Sequence, residues 1–272
     1  MYKGYQLKIN RNIFCENDFS RLYNLGEGSL SKHKIEIEKV IDSFSLVDGS
    51  LDGSKMQANW FPQIKADIFI SHSHMDQQLA IALAGWLKDT FSLTAFIDSC
   101  VWGYSDELLK KIDNTYCRNN NEKTYDYQKR NYSTSHVHMM LSVALAQMID
   151  STECLFFLNT PNSISPESII SQTESPWIYA EIAMTQLIRK KELDNYRVKS
   201  FNESQKTFST GGRILRIKYD LPTDHLADID VDNLADWQNT WMNLGSYNKR
   251  YPQYSANFSI HALDKLYELI KK

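Results

Sequence analysis

The apolar run Ile68-Phe69-Ile70 passes without a break into Ser71-His72-Ser73-His74 and then Asp76. Hydroxyls and imidazoles in such a row supply hydrogen bonds to a polar ligand when the backbone delivers them to a common edge. Asp98 and Ser99 follow a second apolar run, Leu93 to Ile97, in the same way, and Trp102, Gly103 and Tyr104 come just after. Gly103 beside Trp102 reads as the hinge of a mobile loop that closes over a ligand, and the rings of Trp102 and Tyr104, with Trp177 further along, offer faces for a planar one; core packing is the competing role for each. Glu181 is a different kind of candidate. On a helix its neighbours are Trp177, Ile178, Met184 and Thr185, so no Lys or Arg stands three or four residues away to pair with it. Such a carboxylate is either solvated at the surface or set aside for chemistry. His72, His74 and Asp76 alternate as metal ligands can, but a polar turn and a helix cap account for them, and no metal site is expected. His136 and His138 fall at a helix start and read as structural.

Particular elements must position these side chains. Ile68-Phe69-Ile70 is apolar on both pleat faces, so the strand 66–71 suits a central parallel position covered by helices on each side. The carboxyl ends of such strands form the edge where α/β sheets bind ligands, because loops diverge there and helix amino termini offer unpaired N–H groups. Asp76 is placed to cap a helix whose apolar positions are Leu79, Leu83, Trp86, Leu87 and Phe91. Leu93 to Ile97 predicts a second strand and Cys154 to Leu158 a third, ending at Asn159 and Thr160, with a crossover helix over Val137 to Met148. Three such units predict a parallel, doubly wound sheet. Ser175 and Pro176 supply an N-cap and a first helical residue for the helix that carries Glu181.

Outside that frame, apolar spacing predicts a helix from Ser31 to Leu46, and the turn formers of 48–54 predict a linker. Residues 1–60 are thus expected to form a helical extension apart from the sheet, with a domain over 61–272. Within it, 117–135 reads as an inserted loop, 199–212 as mobile, Arg213 to Tyr219 as a half-exposed strand, and the residues from about Ser259 as a closing helix. With 272 residues, 42% of them hydrophobic, the chain can bury a core without staples. A net charge of −3 gives no sequence-wide basic footprint, so no nucleic-acid partner is expected. Cys15, Cys100, Cys117 and Cys154 lack paired spacing and read as free thiols of a reducing compartment. No apolar stretch has the length of a membrane span, and a cytoplasmic protein without a membrane partner is expected.

Taken together, Asp67-Ile-Phe-Ile-Ser-His-Ser-His-Met-Asp76, the strand 94–98 followed by Trp102-Gly103, and Ser175-Pro-Trp-Ile-Tyr-Ala-Glu181 resemble the Toll/interleukin-1 receptor (TIR) domain family, in particular its bacterial members. The resemblance covers residues 64–220, and the Ser-x-Trp-x-x-x-Glu helix is its more specific motif. It implies a flavodoxin-like fold and cleavage of NAD⁺, with Glu181 at the position of the catalytic glutamate. NAD⁺ is then substrate and no cofactor is implied. Nicotinamide leaves the ribose through an oxocarbenium-like state that a facing carboxylate stabilises. Ser71, His72 and Ser73 would meet ribose or phosphate, Asp98 would bind substrate beside them, and Trp102 or Trp177 would meet a ring. The resemblance further implies self-association into a homo-oligomer, a downstream effector that senses the nucleotide product, and a role in antiphage defence. Ile178 departs from the family, whose helix often has Cys after Trp, as does the 117–135 insertion. Two other readings remain open, a nucleoside deoxyribosyltransferase-like enzyme with Glu181 as nucleophile and a non-catalytic adaptor that self-associates.

Overall fold

The computed structural model describes residues 1–32, 41–102, 105–119, 123–164, 172–173, 175–197, 219–220, 223–250 and 261–270. Five of its strands form one all-parallel sheet. These are β1 (Lys3–Leu7), β2 (Ile68–Ser71), β3 (Ala95–Phe96), β4 (Cys154–Leu158) and, after the short β5 (Gln172–Thr173) and β6 (Tyr219–Asp220), β7 (Ala227–Ile229). They lie in the order β3-β2-β4-β1-β7, while β5 and β6 pair antiparallel by themselves. The helices are α1 (Glu16–Ser31), α2 (Gly53–Trp60), α3 (Gln77–Phe91), α4 (Asp98–Val101), α5 (Ser105–Tyr116), α6 (Tyr127–Ser151), α7 (Pro176–Leu187), α8 (Asp194–Arg197), α9 (Val231–Arg250) and α10 (Ala262–Leu269).

Every residue of β2 and β4 is buried, as the absence of polar alternation in their apolar runs predicts for strands covered on both faces. On one face Phe91 of α3 stacks on Trp237 of α9 at 3.8 Å, Trp237 meets Phe156 of β4 edge-on, and Tyr267 of α10 stacks near Tyr5 of β1. The other face carries Phe69 of β2 against Phe96 of β3, with ring centroids 5.3 Å apart. Ser71 shares that face with Phe69, two residues back, and its bond to Glu181 puts α7 over the same side. From β2 the chain steps outward to β3, then returns across β2 to β4. The winding therefore reverses between β2 and β4, and in open α/β sheets the ligand crevice lies outside the carboxyl ends at such a point. The sheet is consistent with a flavodoxin-like fold, with a difference in origin: the N-terminal strand fills the fourth place of the 2-1-3-4-5 order.

That difference corrects the expectation for residues 1–60. β1 is an interior strand, paired in parallel with β4 on one side and β7 on the other, so the N-terminal segment belongs to the sheet. Its helix α1 is fused to α3 by a contact that only glycine permits. A Cβ on Gly26 would lie 2.0 Å from the Ile81 carbonyl oxygen, and one on Gly85 would lie 1.9 Å from that of Leu22. The turn formers of 48–54 end in a helix, not a linker, since Asp52 Oδ1 accepts from Lys55 N to cap α2.

Other expectations are met in part. Of the helix expected over Ser31 to Leu46, residues 33–40 lie outside the described residues, and Ile41–Phe44 form a single 3₁₀ turn. The loop expected over 117–135 is shorter: Asp126 caps α6 through Lys129 N, and helix runs from Tyr127. The segment 199–212 and residues Arg213 to Lys218 lie outside the described residues, while Tyr219 and Asp220 form β6. The closing helix is α10, with its Leu263 and Leu266 buried. Among the described residues no helix is long and apolar enough to cross a membrane.

Candidate active site at the carboxyl edge of the sheet

Three strand ends and one helix converge on the crevice. β2 ends at Ser71, and the turn after it carries His72, Ser73 and Asp76. Asp98 and Ser99 open α4 just past β3, and Asn159 and Thr160 follow β4. Above them α7 begins with Pro176, and Ser175 caps it by accepting from Ile178 N, which orients the turn bearing Glu181 inward.

Glu181 is 3% exposed and takes a 2.6 Å hydrogen bond from Ser71 Oγ to its Oε2. Burial first, and the nearby Asp98 carboxylate second, push its pKa well above the ordinary 4.5; the Ser71 bond offsets part of this. No cation pairs with it among the described residues. Two carboxyl groups thus share one field at the mouth of a crevice, an arrangement that attracts a positively charged group between them. His72 is half-buried beside Asp98. Its Nε2 lies 3.4 Å from Ser99 Oγ, and its buried Nδ1 has no well-formed hydrogen bond among the described residues. Burial holds its imidazole below the ordinary 6.5, against the pull of Asp98, so it tends to be neutral. Gln77 Nε2 donates to Ser99 Oγ at 3.1 Å and fixes that hydroxyl.

Ser71, His72, Asp98 and Glu181 are therefore brought together. Ser73 lies half-buried in the turn beside them. Trp177 sits half-buried on the first turn of α7 and meets His138 of α6 edge-on, with centroids 5.7 Å apart. Trp102 is the exception. Expected in a loop that closes over a ligand, it is 3% exposed, donates from Nε1 to the Pro62 carbonyl at 2.8 Å, and packs against Phe61 and Phe96. An indole with both its area and its N–H satisfied inside is a core residue. Gly103 and Tyr104, the rest of that expected loop, lie outside the described residues.

Asp76 is also corrected. Its side chain makes no cap to α3; it accepts from Thr160 Oγ1 at 2.5 Å and from Asn162 Nδ2 at 2.8 Å. The carboxylate thereby ties the turn after β2 to the turn after β4. Sequence reasoning missed Asn162, because a pairing 86 positions apart leaves no local signal. Among the described residues no group of three or more His, Cys, Asp or Glu is placed to hold a metal. A cleft of about 480 Å³ lies elsewhere, bounded by Phe14, Arg21, Trp86, Gln238 and Met242, and includes none of the expected site residues. No family model, no curated protein and no solved structure matches the chain.

Proposed function

We propose that the chain is a TIR-like enzyme that cleaves the nicotinamide–ribose bond of NAD⁺, releasing ADP-ribose or a cyclic or base-exchanged form of it as a signal, in bacterial antiphage defence. The observation that carries this reading is Glu181, a buried carboxyl without a cationic partner among the described residues, held by Ser71 at the point where the winding reverses. The sequence resemblance assigns that position to catalysis, and the physical setting suits it. In the free protein, burial and Asp98 keep a proton on Glu181 into a range where a solvated glutamate is ionised. The nicotinamide ring brings a positive charge, which compensates for burial and favours the ionised carboxylate. As the C–N bond breaks, the electron pair leaves with nicotinamide and the positive charge moves to the ribose. A carboxylate already in place stabilises that charge without reorganisation. Ser71 holds the carboxylate, and His72 and Ser73 line the adjacent turn where ribose or phosphate oxygens would lie.

Incubating the purified full chain with NAD⁺, and separately with deoxynucleosides, and resolving the products by mass spectrometry tests the reading. Loss of NAD⁺ with release of nicotinamide is expected, and Glu181→Gln should lower turnover at least about a hundredfold. Consumption of deoxynucleosides alone would assign the site to base exchange on nucleosides. Normal NAD⁺ turnover by the variant would remove Glu181 from the chemistry.

A further inference from the structure

The tip of the α5–α6 hairpin carries a surface that the crevice does not use. α6 has 25 residues, about 37 Å at 1.5 Å per residue, against about 17 Å for the five-residue β4 it leads into. A crossover helix runs antiparallel to the strand it feeds, and Ser151 lies next to the start of β4. The surplus length therefore projects past the carboxyl edge of the sheet. Burial follows the same division: Val137, Leu141, Ala144, Leu145 and Met148 are buried, whereas Tyr127, Gln128, Lys129, Arg130 and Tyr132 are exposed.

Two phenol rings on this projection are largely exposed, Tyr127 at 72% and Tyr132 at 70%, the latter meeting His136 edge-on at 4.5 Å. Cations interleave with the aromatic residues. Lys129 lies between those rings in sequence, Arg118 and Arg130 both approach the Tyr125 ring, at 5.8 and 5.3 Å, and Lys123 is exposed beside them. The carboxylate of Asp113 does not oppose them at the surface. Asp113 is buried beneath, accepting from Arg130 Nε at 2.8 Å and Ser133 Oγ at 2.5 Å, so it anchors the tip.

We propose that this hairpin tip binds single-stranded nucleic acid, its tyrosines stacking on bases and its lysines and arginines following the phosphates. Exposed rings set among cations suit a polyanion with planar faces. A protein partner is the poorer match, because protein interfaces are depleted of lysine. The net charge of −3 does not oppose a local patch, since screening confines each charge to about 8 Å at physiological salt. None of these residues is among those gathered around Glu181, and the test reads binding without NAD⁺ cleavage.

Fluorescence anisotropy of labelled single-stranded 12-mers with the full chain decides the matter. Dissociation constants of about 1–100 µM are expected at low salt, with log K falling against log salt at a slope of about −2 to −3 for three or four phosphate contacts. Tyr127→Ala and Tyr132→Ala should each weaken binding about tenfold while the unfolding midpoint stays at the wild-type value. Lys129→Glu should weaken binding and flatten the salt slope. The proposal is overturned if no binding appears at 100 µM protein, or if the double tyrosine variant binds as well as wild type. Equal affinity for duplex would overturn base stacking. If the double variant instead dissociates an oligomer in sedimentation while oligonucleotides fail to bind, the face belongs to a second copy of the chain.

Discussion

Glu181 in the crevice and Trp102 in the wall of the core are buried to the same degree, yet burial acts on them in opposite directions. Around Trp102 the buried polar group is satisfied: the indole N–H reaches Pro62 and the ring meets Phe61 and Phe96. Removal from water there is stabilising, at about 25 cal/mol per Å² of apolar surface. Around Glu181 burial works against the charged form, and a single serine hydrogen bond with Asp98 nearby does not compensate. A fold that needed only stability would place an apolar side chain at that position. The contrast separates residues that hold the crevice open from the residue set inside it.

The largest effect should come from the wall. Trp102→Ala removes a 3%-exposed indole and strands the Pro62 carbonyl, for an expected loss of about 3–5 kcal/mol in denaturant unfolding. A small loss, with NAD⁺ binding impaired instead, would return Trp102 to the ligand side of the comparison.

Glu181→Gln should behave inversely. Besides the hundredfold loss of turnover, about 2.7 kcal/mol in barrier height, it should change how stability depends on pH. A glutamate whose folded pKa is raised holds its proton more tightly in the folded than in the unfolded state. Its stabilising contribution is complete below the ordinary 4.5 and is lost as pH rises toward the folded value. Wild type should therefore lose stability on alkalinisation through that window, and the glutamine variant should lose less. Parallel stability curves for the two proteins would show that Glu181 is not held in the protonated form.

The wall and the crevice were legible in the sequence to different depths. β2, α3, β4 and the buried half of α6 announce themselves because unbroken apolar runs and helical spacing are local signals. Glu181 stood out through the neighbours it lacks, but its partner Ser71 lies 110 positions away and only the fold joins them. β1 was hidden by composition. Gly4 and Gln6 alternate with Tyr5 and Leu7, which does not read as a central strand. The structure explains both departures: a Cβ at Gly4 would lie 2.6 Å from Leu226 Cδ2, and Gln6 is answered by Asn159 Nδ2 at 3.0 Å. Trp102 misled because glycine beside an aromatic looks like a hinge, and the burial that decides the matter comes from Phe61 and Pro62, some forty positions earlier.

The N-terminal segment extends the comparison to a third packed region. Gly85→Ala puts a methyl group 1.9 Å from the Leu22 carbonyl oxygen, so α1 and α3 must move apart, at an expected cost of about 1–3 kcal/mol in unfolding. A chain beginning at Asn59 lacks β1 and leaves β4 and β7 without their shared neighbour, so its cooperative unfolding transition should be lost. Persistence of that transition, together with a neutral Gly85→Ala, would restore the segment to the status of an appendage.

The smallest effects test how the crevice sets the proton on Glu181. The Asp98 carboxylate raises that pKa and the Ser71 hydrogen bond lowers it, so removing each should move it in opposite directions. Asp98→Asn keeps size and removes charge, and the acid limb of kcat/KM, which reports the free enzyme, should shift to lower pH. Ser71→Ala removes the bond of 2.6 Å, and the same limb should shift to higher pH, with a stability loss of about 1 kcal/mol. Neither variant touches the apolar wall, so neither should approach the loss expected of Trp102→Ala. The sign of each shift carries the argument, because both variants disturb one small site and a general distortion would move the two limbs the same way. Limbs that move together, or stay fixed while turnover falls, would mean that Glu181 is not the group whose ionisation limits the reaction.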